Sequence, residues 1–155
     1  MPYDPHAPTP ESRNLQFAIM WVGLIMTALC LGHYLCDPDL RWTTLGYGIM
    51  IGGLINGALS YRSDDYFRAQ CFVGMSWSIG LVAVYLFFLL ILSVSDIAFA
   101  AGYRMTSHGE TERFPMSAAG FANDATLLAM LVSLAFYLGF AFAMLRDRFF
   151  VGGDQ

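Results

Sequence analysis

Four runs of apolar residues, at about 15–35, 43–60, 71–101 and 125–145, constrain this chain more than any other feature. A helix rises about 1.5 Å per residue, so about twenty apolar residues cross a hydrocarbon core of about 30 Å. Backbone in lipid has no water to bond, and a helix satisfies its own amides and carbonyls locally. The charge content agrees, with 13% charged against 57% hydrophobic residues, where a soluble domain carries roughly a quarter charged. The expected fold class is all-α: an integral membrane four-helix bundle with short connections and one extramembrane loop of about 20 residues.

Residues 1–10, MPYDPHAPTP, hold prolines at four of ten positions and read as an extended arm with few backbone donors. Thr9, Pro10 and Glu11 then form a helix start, with Thr9 as cap, proline at the first helical position and a carboxylate at the positive end of the dipole. The membrane domain is expected over residues 11–150, with spans at about 15–35, 43–60, 72–94 and 125–145, and 151–155 as a flexible tail. No basic stretch precedes the first span and no small-residue cleavage site follows it, so it reads as a mature span and not a signal peptide. The third apolar run is too long for the hydrocarbon core and must project, tilt or break. Asp96 reads as a helix terminator at its outer end, residues 102–122 as the loop, and Asn123-Asp124 as the cap of the last span.

All eight basic residues are arginine, against twelve acids, for a net charge of −4. There is no basic cluster of the kind that nucleic acid requires, so nucleic acid is not an expected partner. Five arginines on the side of the termini against three on the other favour cytoplasmic termini. The absence of lysine favours a bacterial inner membrane. Cys30, Cys36 and Cys71 offer no plausible intrachain disulfide.

The second run, LGYGIMIGGLINGALS, is the most informative about contacts. Gly46, Gly48, Gly52, Gly53, Asn56, Gly57 and Ser60 fall within one half of a helical circumference, and Tyr47, Met50, Ile51, Leu54, Ile55 and Ala58 fill the other. Small residues let helix backbones approach closely in lipid, and an asparagine adds an interhelical hydrogen bond. This face is expected to pack against protein, either another span of the chain or a second copy. Weaker stripes of the same kind are Gln16, Gly23, Thr27, Cys30 and Tyr34 in the first span, Gly74 and Ser78 in the third, and Ala125, Ala129 and Ser133 in the last.

Chemistry-bearing residues are sparse. No carboxylate or cation lies near the midplane of a span, where a proton relay keeps one. Arg62, Asp64, Asp65, Arg68, Arg146, Asp147 and Arg148 share the inner face as a charge network or as local solvated pairs. On the outer face His33, Cys36, Asp37 and Asp39, with His108, Glu110 and Glu112 of the loop, form a weak ligand cluster whose spacing matches no metal motif. A bis-histidine haem lacks its ligands, although His33 with a methionine or with another subunit's histidine stays open. No phosphate loop, nucleophile elbow or zinc-protease pattern occurs, so an enzymatic role has no residues to stand on.

The expected function is a structural or accessory subunit, a homo-oligomer or part of a larger inner-membrane complex, associating through glycine-rich helix faces. The lipid bilayer and other membrane subunits are the expected partners, and no cofactor is expected. The alternative is an oligomeric channel or transporter lined by Ser76, Ser78, Thr27 or Ser133. A third reading is a redox or metal-carrying subunit with haem or metal.

Overall fold

The computed structural model describes residues 9–36, 43–59, 63–106 and 124–151. Four helices make up the described residues: α1 Pro10–Cys36, α2 Thr43–Ala58, α3 Asp65–Thr106 and α4 Ala125–Arg146, the last continued by a π-helical turn over Asp147–Val151. The architecture is an all-α bundle, with no strand among the described residues. Three helices, α1, α3 and α4, are long and apolar enough to cross a membrane.

Short polar side chains fix the helix starts. The Thr9 hydroxyl accepts the Ser12 amide at 3.3 Å and its carbonyl accepts the Arg13 amide at 3.1 Å, with Pro10 as first helical residue. The Asp64 carboxylate caps α3 by accepting the Phe67 amide at 2.8 Å. The Asp124 carboxylate caps α4 by accepting from Thr126 and Leu127 at 2.9 and 3.1 Å. Each bond satisfies an amide that has no partner within the first turn.

Two elements depart from the sequence expectation. The second apolar run forms a helix of 16 residues with a turn at Leu59, about 24 Å long and short of the hydrocarbon core. The third runs unbroken through Asp96 to Thr106, 42 residues in all, so Asp96 does not end it and residues 102–106 of the expected loop are helical. A lone aspartate lacks the power of proline to stop propagation, and Ile97–Ala101 restores an apolar run that favours continuing. Of the three outcomes open to a long apolar run, α3 therefore avoids the break.

α3 packs most extensively on α4 and α1 on α2, both pairs antiparallel; α4 also runs along α1, while α2 only grazes α3 and α4. α4 is thus the central helix, and from Ala135 to Ala143 only Leu138 and Phe142 are exposed. The core gathers Met20, Met50, Phe67, Cys71, Phe136, Tyr137 and Phe140. At the end of the bundle where α1 and α3 begin, Phe17, Phe67 and Phe140 meet with ring centroids 5.3 to 6.0 Å apart, the Phe17–Phe67 pair edge-to-face at 89°, an arrangement the ring quadrupoles favour. Farther out α3 loses its company: Ile79, Val84, Leu86, Phe87, Phe88, Leu90, Ile91 and Val94 are all exposed apolar side chains. Lipid is the natural medium for such a helix, apolar on every side.

Candidate functional site

The glycine-bearing face of α2 is the feature with most to distinguish it, and the structure divides it. Gly53 faces the Tyr137 ring and hydroxyl, Gly57 lies against the Phe136 ring and Gly46 against the Cys30 sulfur. These three are filled from within the chain. Gly48 and Gly52 are exposed, with no neighbour within 4 Å of where a Cβ would stand. Gly52 and Asn56 line an open groove of about 420 Å³ whose other wall is Leu15, Ala18, Ile19 and Val22 of α1, with Ile49 between. The Asn56 Nδ2 is shielded from solvent and has no hydrogen-bond partner. Ser60 lies outside the described residues.

The inward half of the glycine face receives two adjacent aromatics of α4, which the sequence reading did not single out. Tyr137 is 1% exposed and passes between Gly23 of α1 and Gly53 of α2, where its hydroxyl donates to the Met50 carbonyl at 2.7 Å. Phe136 fills Gly57 on one side and Gly74 of α3 on the other, where a Cβ would stand 2.6 Å from the Phe136 carbonyl oxygen. One helix thus keys the other three through aromatic side chains set into glycine notches. The signal available in sequence was the adjacent Phe136-Tyr137 pair, with Tyr137 the one tyrosine of the span.

The weaker stripes divide likewise. Gly23, Thr27 and Cys30 of α1 point inward, with Thr27 fully buried and its hydroxyl bonded to the Gly23 carbonyl at 2.7 Å. Tyr34 donates to the Asp124 carboxylate, joining the outer ends of α1 and α4. That hydroxyl and the Leu127 and Thr126 amides hold the Asp124 carboxyl below the ordinary carboxylate range, against a lesser opposing push from burial. Gly74 and Ser78 both face α4, Ser78 donating to the Val132 carbonyl at 2.9 Å. In the last stripe Ser133 is buried, whereas Ala125 and Ala129 are exposed.

The inner-face charges pair mainly with close neighbours. Arg68 reaches Asp65 at 3.4 Å and Arg146 reaches Asp147 at 3.1 Å. The contact between elements is one the sequence did not suggest, Arg13 of α1 with Asp64 at 3.8 Å. Arg148 borders a cavity of about 510 Å³ with Tyr66, Met144 and Asp147, and Arg62 lies outside the described residues. Of the ligands expected for the outer face, Asp37, Asp39, His108, Glu110 and Glu112 also lie outside the described residues. His33 has a shielded Nδ1 without a partner and Cys36 is exposed. No three His, Cys, Asp or Glu side chains converge among the described residues.

The hydroxyls considered as a pore lining are engaged with backbone. Besides Thr27 and Ser78, Ser76 donates to the Phe72 carbonyl at 2.9 Å and Ser133 to the Ala129 carbonyl at 2.7 Å. No protein-family model, no curated protein and no solved structure matches this chain.

Proposed function

We propose that this chain is a small membrane subunit with a structural or accessory role, associating through the open part of the glycine face of α2. The observation that carries the reading is the contrast along one short helix. Three glycines are filled by the chain's own side chains, while Gly48 and Gly52, four residues apart, stand open beside a groove and an unpartnered Asn56 amide. Open glycines at this spacing are what a second helix needs for close backbone approach, and a shielded amide donor adds a reason to associate. A bacterial inner membrane with cytoplasmic termini is the setting the arginine distribution favours. The backbone bonds of the four hydroxyls leave the association reading better supported than a pore.

Native mass spectrometry of the chain extracted from its source membrane in mild detergent tests the proposal. An assembly heavier than the monomer is expected, either several copies or copies with other chains. The Gly48→Leu/Gly52→Leu variant should run as monomer while keeping its helical content and melting behaviour. A wild-type chain that is monomeric and without companions, or a variant assembly of unaltered mass, would sink the reading.

A further inference from the structure

We infer that Gln70 is a water-binding site, fed from the inner membrane face along the seam between α3 and α4. Gln70 is 1% exposed, yet neither its Nε2 nor its Oε1 has a hydrogen-bond partner. The other two buried polar side chains of the core do not share that condition, since Thr27 and Ser133 both donate to backbone carbonyls. A shielded amide with both ends unmade is among the costlier things a helix interface can hold. Asn56 and His33 each leave one shielded atom without a partner, but Gln70 leaves both ends of its amide unmade, and such a group points to a guest that bonds it.

The surroundings say where the guest comes from. Gln70 lies one turn from Gly74, where α3 and α4 approach so closely that a Cβ on Gly139 would stand 2.9 Å from the Gly74 Cα. In the inward direction, Tyr66 lies one turn from Gln70, about 6 Å along the axis. Tyr66, Met144, Asp147 and Arg148 there line an open cavity of about 510 Å³. Gly74 and Gly139 thus close the seam on one side of Gln70, and the cavity lies one helical turn away on the other. At that same level α4 changes into its π-helical turn, Asp147–Val151, a wider winding often associated with functional positions.

The chemistry of the amide selects the guest. Its Nε2 donates and its Oε1 accepts, so the guest must do both within a space closed to anything large. Water does both, and buried waters characteristically bond otherwise unsatisfied polar groups. The cavity wall is mainly apolar, but the residues that line it bring a phenol, a carboxylate and a guanidinium, each a group that holds water. The site thus makes a hydrated inlet at the inner end of the bundle, ending at Gln70.

Side-chain amide NMR in lipid nanodiscs tests this directly. The chain has three glutamines, Gln16, Gln70 and Gln155, so glutamine-selective ¹⁵N labelling gives three amide pairs, and the pair absent from Gln70→Met is the one sought. Should that variant not fold, Gln16→Leu with Gln155→Asn leaves Gln70 as the sole glutamine. The expected result is cross-relaxation between the Gln70 amide protons and water, with exchange into D₂O slowed about tenfold by Met144→Trp, which plugs the mouth. Absence of a water cross-peak with protection lasting days overturns the proposal. Exchange indifferent to the plug overturns the inner-face route.

Discussion

Replacing Gly53 by alanine tests whether Tyr137 keys α1, α2 and α4 together. A Cβ at Gly53 meets the Tyr137 hydroxyl head-on, with Cζ at 3.1 Å and Cε1 at 3.3 Å. The ring has no room to retreat, because Gly23 bounds its other side and Tyr137 is 1% exposed. Either α2 shifts outward or the hydroxyl leaves the Met50 carbonyl, to which it donates at 2.7 Å. Overpacking of a tight interior costs about 1–3 kcal/mol and the lost hydrogen bond about 1 kcal/mol more, so Gly53→Ala should destabilise by about 2–4 kcal/mol. Tyr137→Phe alone should lose only the hydrogen bond, about 0.6–1.5 kcal/mol. In the Tyr137→Phe background the clashing oxygen is gone and the remaining ring contacts are tight but tolerable. Gly53→Ala should then cost about 1 kcal/mol or less, a coupling of about 1–3 kcal/mol. Gly23→Ala should show no such rescue, since its Cβ would stand 2.5 and 2.7 Å from ring carbons Cζ and Cε1. Steric-trapping or mild-detergent unfolding measurements on the three single and two double variants read these differences. Equal costs for Gly53→Ala in the two backgrounds would refute the keying argument.

Four further outcomes follow from the same geometry. Gly74→Ala should destabilise severely, by about 3 kcal/mol or more, because the obstacle is the Phe136 backbone carbonyl. Gly80→Ala should instead leave thermal unfolding unchanged or raise it slightly, since no atom lies within 4 Å of that position and alanine is the better helix former. Asp64→Ala should cost about 1 kcal/mol by removing the α3 cap and Asp64→Asn much less, whereas Arg13→Ala, at an exposed pair, should stay below about 1 kcal/mol. Because the folded state holds the Asp124 carboxyl below its ordinary range, its contribution is complete above the unfolded carboxylate range and is lost as pH falls through the folded value. Protection of the Thr126 and Leu127 amides, relative to their intrinsic exchange at each pH, should therefore fall only under acid conditions, and Tyr34→Phe should move that onset to higher pH.

What the sequence revealed and what it hid follow from the range of the interactions. Helix starts were legible because a cap acts within three residues: Thr9 before Pro10 and Asp124 before α4 each bond their own first turn. The small half of α2 was legible as a half, since helical periodicity alone sets it. Its division was not, because which glycines are filled depends on Phe136 and Tyr137, two residues of a helix that is distant in sequence and arrives from outside the pattern. The same limit hid the Arg13–Asp64 contact, which exists only because α1 and α3 begin on the same face. The length of α3 was misjudged at Asp96 because a carboxylate near an interface suggests an end, while helix propagation ends where the backbone itself is interrupted.

The unbroken α3 gives the molecule a lever. α4 holds it near Gly74 and Ser78, and from Ser78 to Thr106 the rod continues for about 42 Å. A rotation of about 10° at that fulcrum carries the far tip through about 7 Å. Repacking around Phe136 that turned α3 by such an angle would be magnified into a large excursion at its far end. That amplification requires a stiff arm, and α3 has no proline anywhere along it to yield.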